Sequence, residues 1–306
     1  MDNLSKQLID YFISILGESN VLVNEPMKNH TTFQIGGPAD CFLQVSNLEQ
    51  LQVILKCIKQ TEYEFMILGN GSNVLVSDQG YEGIVLALTG DFKDLQVSGN
   101  DICAGAGATL KEVANYALSN SLTGFEFAAG IPGTVGGGVL MNAGAYGGEM
   151  CHVVKSVTVI HFDGEVFHMS KDEMEFGYRK SAVMRRPFLI LSVVFELSVG
   201  VKEEILDKIT NLNQQRKDKQ PLEYPSAGST FKRPKDYYAG KLIMDSGLRG
   251  FRVGGAMISE KHCGFVINYD NASAQDVSDL MTQVCDKVED CFGVRLEPEV
   301  IRIGRF

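Results

Sequence analysis

No window of this 306-residue chain offers the roughly 18 or more uninterrupted apolar residues of a membrane helix, which excludes a spanning segment. Basic residues are in deficit. With 28 Lys and Arg against 38 Asp and Glu, the formal net charge of -10 argues against nucleic acid or an anionic membrane as a partner. A local basic cluster can still hold an anionic small ligand. The seven cysteines (41, 57, 103, 151, 263, 285 and 291) are odd in number and contain no CxxC, so neither a disulfide framework nor a zinc site is favoured. Reduced thiols and a cytoplasmic location follow. The five histidines lack metal spacing, and the adjacent His262 and Cys263 have no evident co-ligands, so no metal is expected. The N-terminus is expected to be an amphipathic helix, not a secretory signal. Asp2 and Asp10 interrupt the N-terminus, no small-residue cleavage signal follows, and Leu8, Phe12, Ile15 and Leu16 fall at helical spacing.

What remains is an ordinary globular composition, 44% hydrophobic, long enough for two or three domains. Residues 1–88 read as a small α+β block. It has a first helix, a polar loop from Val21 to Asp40, a strand Ala39–Val45, a helix Asn47–Gln60, and strands Phe65–Leu68 and Gly83–Leu88. That second helix turns Leu51, Ile54, Leu55 and Ile58 to one face, with Asn47 as its cap. Residues 89–198 form the next block. It holds a hairpin Leu95–Ser98 with Asp101–Ala104, and a helix Thr109–Asn120 facing inward with Leu110, Val113, Ala114, Ala117 and Leu118. A second hairpin turns at Asp163-Gly164, and Leu189–Leu197 is a closing strand. Residues 199–306 make the third block. A helix near Lys202–Lys219 points Ile205, Ile209 and Leu212 inward. A helix Ala274–Phe292 does so with Val277, Leu280, Met281, Val284 and Val288. Ser273 and Asp276 cap that last helix, Gly293 ends it, and Leu296–Ile303 follows as a strand.

Two glycine-rich segments stand out. Gly69-Asn70-Gly71-Ser72-Asn73, followed by Val74, leaves a strand with its backbone amides available to an anion; the alternative is a tight turn. It lacks the third glycine of a Rossmann fingerprint, and no Walker lysine pattern is present. Ala129-Gly130-Ile131-Pro132-Gly133-Thr134-Val135-Gly136-Gly137-Gly138 carries so little side-chain bulk that backbone can approach a ligand closely; the alternative is a crowded domain junction. Ser229 has no Gly-x-Ser-x-Gly elbow around it, so a hydrolase nucleophile is not indicated.

These loops and the blocks around them resemble the FAD-binding fold of the vanillyl-alcohol oxidase type. The third block resembles the substrate domain of the UDP-N-acetylenolpyruvoylglucosamine reductase family (UDP-N-acetylmuramate dehydrogenases). The matching stretches are Asn29–Phe33, Leu68–Leu75, Gly130–Gly148, Gly177-Tyr178-Arg179-Lys180-Ser181, Lys219–Pro234, Ser259–Phe265 and Glu297–Val300. In this order they cover the chain from about residue 20 to its end. The direct run from Tyr178-Arg179 into Ser181 resembles the shorter, type II form.

The resemblance implies an α+β protein with two FAD-binding subdomains, 1–88 and 89–198, and a third, substrate-binding domain, 199–306. It implies non-covalent FAD on Gly69–Val74, Gly130–Thr134, Gly136, Gly137, Asn142 and Gly144. NADPH is the co-substrate, reacting and leaving before a UDP-sugar enters the same cleft, and the protein is a monomer. Hydride from the flavin reaches the methylene carbon of an enolpyruvyl ether, and charge spreads into the neighbouring carboxylate. Ser229 then protonates the adjacent carbon. A hydroxyl is a weak acid, but the carbanion is a strong base, so positioning outweighs acidity. Arg179 offers a planar fork to the carboxylate. Glu299, which would otherwise repel it, is best protonated and donating. Tyr178 packs on the substrate, and Arg216 and Lys219 meet its diphosphate and the nicotinamide cofactor. Arg233 stands where the best-known form has an asparagine; a cation there still suits a UDP-sugar. Taken singly, Arg179 reads as a surface salt bridge, Glu299 as a strand-edge carboxylate, and Arg216 and Lys219 as helix-end charge. Glu260, Lys261 and His262 match the family without an evident role. The rival readings are a flavin oxidase of the same fold and a non-catalytic UDP-sugar binding protein.

Overall fold

The computed structural model describes residues 5–306; Met1–Leu4, where the first helix was expected to begin, lie outside the described residues. The chain is α+β and divides into two compact units. The first takes the chain up to Leu22, then Cys41–Gly69 and Gly83–Gln215; the second takes Val23–Asp40, Asn70–Glu82 and Arg216–Phe306.

The first unit is built on a five-stranded antiparallel sheet, in the order Val166–Ser170, Val154–His161, Phe188–Glu196, Asp101–Gly105 and Leu95–Ser98. Both expected hairpins are in it. A four-stranded sheet follows the order Val21–Pro26, Pro38–Val45, Tyr81–Leu88 and Phe65–Ile67, with Phe65–Ile67 parallel to Ile84–Leu86. The strand Val21–Pro26 was expected to be loop, since its polar run Asn24-Glu25 breaks the alternation that marks a strand. The helix Leu48–Lys59 buries Leu51, Ile54, Leu55 and Ile58, and Asn47 accepts from Gln50 N at 2.9 Å. In the helix Leu110–Ser119, Thr109 and Glu112 form a reciprocal cap; Leu118 is only half-buried.

A buried carboxylate anchors this unit. Glu126, 3% exposed, accepts from the Thr123 hydroxyl at 2.5 Å and Gly124 N at 2.9 Å, and pairs with Lys208 at 3.3 Å. Burial alone would raise its pKa, but the Thr123, backbone and Lys208 interactions outweigh burial and hold it below the usual glutamate range. A lowered folded-state pKa means that the unfolded chain binds the proton more readily. The stabilisation is therefore full above the ordinary glutamate pKa and is lost as pH falls through the lower folded value. Glu126→Gln should cost about 1–3 kcal/mol near pH 7. Urea unfolding at falling pH should show the difference from wild type shrinking below about pH 4. A gap independent of pH would assign the effect to packing.

The second unit packs the helix Ala274–Phe292 on a three-stranded sheet, Arg252–Val253, Ala256–Ile258 and Val266–Asn268. Val277, Leu280, Met281, Val284 and Val288 are buried as their spacing predicts, Ser273 and Asp276 form a reciprocal cap, and Gly293 ends the helix at φ +66°. Asp78 adds a second cap, accepting from Ala274 N at 2.8 Å and Gln275 N at 3.1 Å. The expected strand Leu296–Ile303 forms only over Ile301–Ile303, parallel to Val74–Val76. Pro298 has no N–H to give to a ladder, and Glu299 N is drawn instead to the Thr230 carbonyl.

Candidate functional site

In the first unit the strand Phe65–Ile67 delivers Gly69 against Thr134. A Cβ on Gly69 would stand 2.4 Å from Thr134 Oγ1, so only glycine lets the two glycine-rich segments meet. The second segment contains an unforeseen helix, Val135–Leu140, which glycine propensity alone would not form. Tertiary bonds hold it. Val135 N donates to Ala108 O at 2.8 Å, Gly136 N to Ala106 O at 2.9 Å, and Gly137 N to the Thr134 cap at 3.4 Å. These amides are spent within the unit. Gly136 packs against Ala106, where a Cβ would stand 3.1 Å from the Ala106 Cβ, while the N–H groups of Gly133 and Thr134 donate to no described residue. Gly137 is exposed, and a Cβ there would meet nothing closer than Thr134 Oγ1 at 3.5 Å.

Asn142 and Gly144, expected at the cofactor, are tied into the protein. The buried Asn142 donates to Glu149 Oε2 at 3.0 Å and Gly177 O at 3.1 Å and accepts from Cys151 N at 2.9 Å. Gly144 pairs with Glu149 in a short ladder. Asn142 thereby holds one end of the turn that carries Tyr178 and Arg179. Gly177 and Lys180 exchange backbone bonds across that turn at 3.1 and 3.2 Å, and Arg179 occupies its third position with φ +55°. Its guanidinium stands 5.0 Å from the Tyr178 ring centroid, and Tyr178 is 49% exposed.

In the second unit the loop Asn70–Asn73 turns tightly at Gly71, which is buried at φ +59°; a Cβ there would stand 2.1 Å from the His30 carbonyl. Gly71 O accepts from Thr32 N at 3.2 Å. The N–H groups of Asn70, Gly71, Ser72 and Asn73 donate to no described residue. A run of unspent amides at a buried glycine fits a diphosphate, because unpaired donors there otherwise cost about 1–3 kcal/mol each.

The same unit joins Ser229 to Glu299. Thr230, fully buried, donates its N–H to Gly264 O at 2.9 Å, accepts from Glu299 N at 2.8 Å, and accepts from Val266 N on its hydroxyl at 2.9 Å. Phe231 bridges Pro298, and Lys232 N donates to Glu297 O at 2.8 Å. Glu299 O in turn accepts from Asn73 Nδ2 at 3.2 Å, and Ile301 N donates to Asn73 O at 3.0 Å. The end of the Gly71 loop, the Ser229 segment and Glu299 are thus stitched by backbone bonds and by the Asn73 side chain. Ser229 itself is exposed and follows Gly228 at φ +74°. Arg233 is exposed, stacked 4.1 Å from the Tyr238 ring centroid, with Nε donating to Tyr237 O at 3.3 Å. Arg216, half-buried, and Lys219, exposed, close the helix Lys202–Lys219. Sequence reasoning missed Thr230 and left His262 without a role. His262 Nδ1 accepts from Gly264 N at 3.1 Å, and its ring packs edge-on to Phe265 at 4.9 Å. Burial pushes its pKa down, against the opposing effect of a backbone hydrogen bond, and keeps it neutral at pH 7. Among the described residues no group of three or more His, Cys, Asp or Glu could hold a metal, and no helix is long and apolar enough to cross a membrane.

Residues 39–170 match the family described as "FAD binding domain", and residues 220–303 match "UDP-N-acetylenolpyruvoylglucosamine reductase, C-terminal domain". A UDP-N-acetylenolpyruvoylglucosamine reductase from Lachnoclostridium phytofermentans is 49% identical over 295 residues, 95% of each chain. The chain belongs to the UDP-N-acetylenolpyruvoylglucosamine reductase family. Another member, from Caldanaerobacter subterraneus subsp. tengcongensis, is 48% identical over 98% of this chain and 99% of its own. The crystal structure of the Thermus caldophilus reductase superposes with a TM-score of 0.79 at 36% identity, covering 93% of this chain and 98% of that one. The family fold therefore accounts for nearly the whole molecule, as the ordered motifs imply.

Proposed function

We infer that this chain is the reductase for which its family is named. It is an FAD-containing oxidoreductase that uses NADPH to convert UDP-N-acetylglucosamine enolpyruvate to UDP-N-acetylmuramate in peptidoglycan precursor synthesis. The observation that carries this is near-full-length identity close to one half, joined to an FAD-binding match. When bound, FAD supplies the hydride acceptor and donor that no side chain can be. The chain's own residues do the rest. The unspent amides of Asn70–Asn73 in the second unit, and those of Gly133 and Thr134 in the first, each support the reading that FAD is held by backbone donors without covalent attachment. Arg179 orients the substrate carboxylate, Glu299 donates to the developing oxyanion, and Ser229 gives its proton to carbon. Tyr178, Arg216, Lys219 and Arg233 receive the UDP-sugar. The division of labour falls at residues 88 and 198, with cofactor-binding blocks before and a substrate-binding block after. The enzyme works as a cytoplasmic monomer.

The purified protein should be yellow, bleach with NADPH without oxygen, and regain its colour on addition of the enolpyruvyl sugar. Recolouring by air alone would favour a flavin oxidase, and a colourless preparation a sugar-binding protein. A sharper probe of the cofactor loops is Gly137→Leu. The site is open on its own unit, and a helical Gly replaced by a side-chain residue gains about 0.5–1 kcal/mol of helix stability. The variant should melt no lower than wild type when stripped of cofactor, yet retain at least about tenfold less FAD affinity through steric exclusion. Full flavin occupancy would remove this loop from the cofactor site.

A further inference from the structure

We propose that His262 is a positioning residue for Ser229, acting through Gly264 and Thr230; this rests on the reading of Ser229 as proton donor. Ser229 makes no hydrogen bond to a described residue, so only its backbone places its hydroxyl. On one side Gly228 is a left-handed glycine whose Cβ position is open space, which leaves the chain free to turn there. The other side is Thr230, and its N–H is fixed by Gly264 O at 2.9 Å. Gly264 is itself a glycine with many accessible conformations. What restrains it is the 3.1 Å bond from its N–H to His262 Nδ1. A Cβ on Gly264 would stand 2.9 Å from His262 Cε1, so the imidazole lies directly against the backbone it orients. The imidazole is fixed in turn. His262 N donates to the buried Ser259 hydroxyl at 3.3 Å, His262 O accepts from Phe265 N at 3.0 Å, and the ring packs on Phe265. Acceptance at Nδ1 requires the neutral tautomer with its proton on Nε2.

The partner of His262 lies two residues along the chain. An asparagine at position 262 can accept from that same N–H through its side-chain oxygen, as in an Asx turn. Alanine and phenylalanine cannot, although phenylalanine keeps a ring against Phe265. Three variants of the FAD-loaded protein, His262→Ala, His262→Phe and His262→Asn, are compared with Ser229→Ala in anaerobic stopped-flow on each half-reaction. His262→Ala and His262→Phe should slow reduction of the sugar by about tenfold to a hundredfold, the penalty of a misplacement near 1 Å. Consumption of NADPH should change by less than about twofold, and His262→Asn should restore sugar reduction to within about threefold of wild type. Amide exchange over residues 228–232 and 262–266, read by mass spectrometry, should quicken in the Ala and Phe variants and return towards wild type in the Asn variant. If His262→Ala fails to fold, the Phe and Asn pair carries the same comparison. Slow sugar reduction in Ser229→Ala with normal rates in His262→Phe overturns the positioning role alone. Phe and Asn variants equally impaired in both half-reactions also overturn it. Normal sugar reduction in Ser229→Ala overturns the proton-donor reading itself.

Discussion

Ser229→Ala should slow reduction of the enolpyruvyl sugar by about two to four orders of magnitude while NADPH oxidation stays near normal. The separation follows from where the proton is needed. Hydride transfer out of NADPH leaves no carbanion for Ser229 to protonate, whereas the sugar's carbon must receive a proton after it has gained hydride on its neighbour. The structure makes the variant a clean one. Ser229 is exposed and its hydroxyl bonds to no described residue, so its loss removes no element of the fold. The bonds that keep the segment in place belong to Thr230 and survive the substitution. Ser229→Cys should fall between alanine and wild type, because a thiol can still donate. Anaerobic stopped-flow on the two half-reactions gives both rates. Slowed NADPH oxidation with intact sugar reduction would move Ser229 from proton transfer to nicotinamide binding.

The helices were legible because burial repeats with the helical period. Leu51, Ile54, Leu55 and Ile58, and the five apolar positions from Val277 to Val288, are buried as spacing requires. Caps were legible where a side chain bonds to its own turn, as at Asn47 and Ser273. Elements made by long-range partners were not. Val135–Leu140 is helical despite three glycines because Ala106 and Ala108 accept its first amides. The parallel pairing of Ile301–Ile303 with Val74–Val76 joins residues more than two hundred positions apart, which no local pattern encodes.

The site divides along the same line. Motif order singled out Ser229 and Glu299. It could not reveal that Thr230 binds both the Glu299 amide and the Gly264 carbonyl, or that Asn73 reaches from the Gly71 loop to Glu299 O. The Thr230 bonds are backbone bonds, indifferent to residue type, and the Asn73 side chain meets a carbonyl 226 positions away, so neither leaves a signature in a local sequence pattern. His262 is a middle case. Its type matters, but its partner is an ordinary glycine amide, so a His-x-Gly spacing is not distinctive.

Arg179→Lys should lower kcat by about 10²–10³-fold with only a modest rise in KM for the UDP-sugar. A lysine keeps the charge and the left-handed backbone but loses the planar two-pronged donor. The substrate carboxylate gains charge density chiefly in the transition state, so a donor array matched to it acts more on turnover than on binding. The backbone conformation supports the same proposal. At φ +55°, in the third position of the Gly177–Lys180 turn, an L-residue costs about 1–3 kcal/mol that glycine avoids. The turn's own bonds, Gly177 with Lys180 and Asn142 with Gly177 O, are made by other residues. That strain supports the reading that arginine stands here for what its side chain does. Arg179→Gly should then relieve strain and raise the thermal midpoint while losing at least as much turnover as Arg179→Lys. Steady-state kinetics and melting curves on the two variants test both halves. Near-normal turnover in Arg179→Lys, or a lower midpoint in Arg179→Gly, would return Arg179 to the role of a surface ion-pair residue.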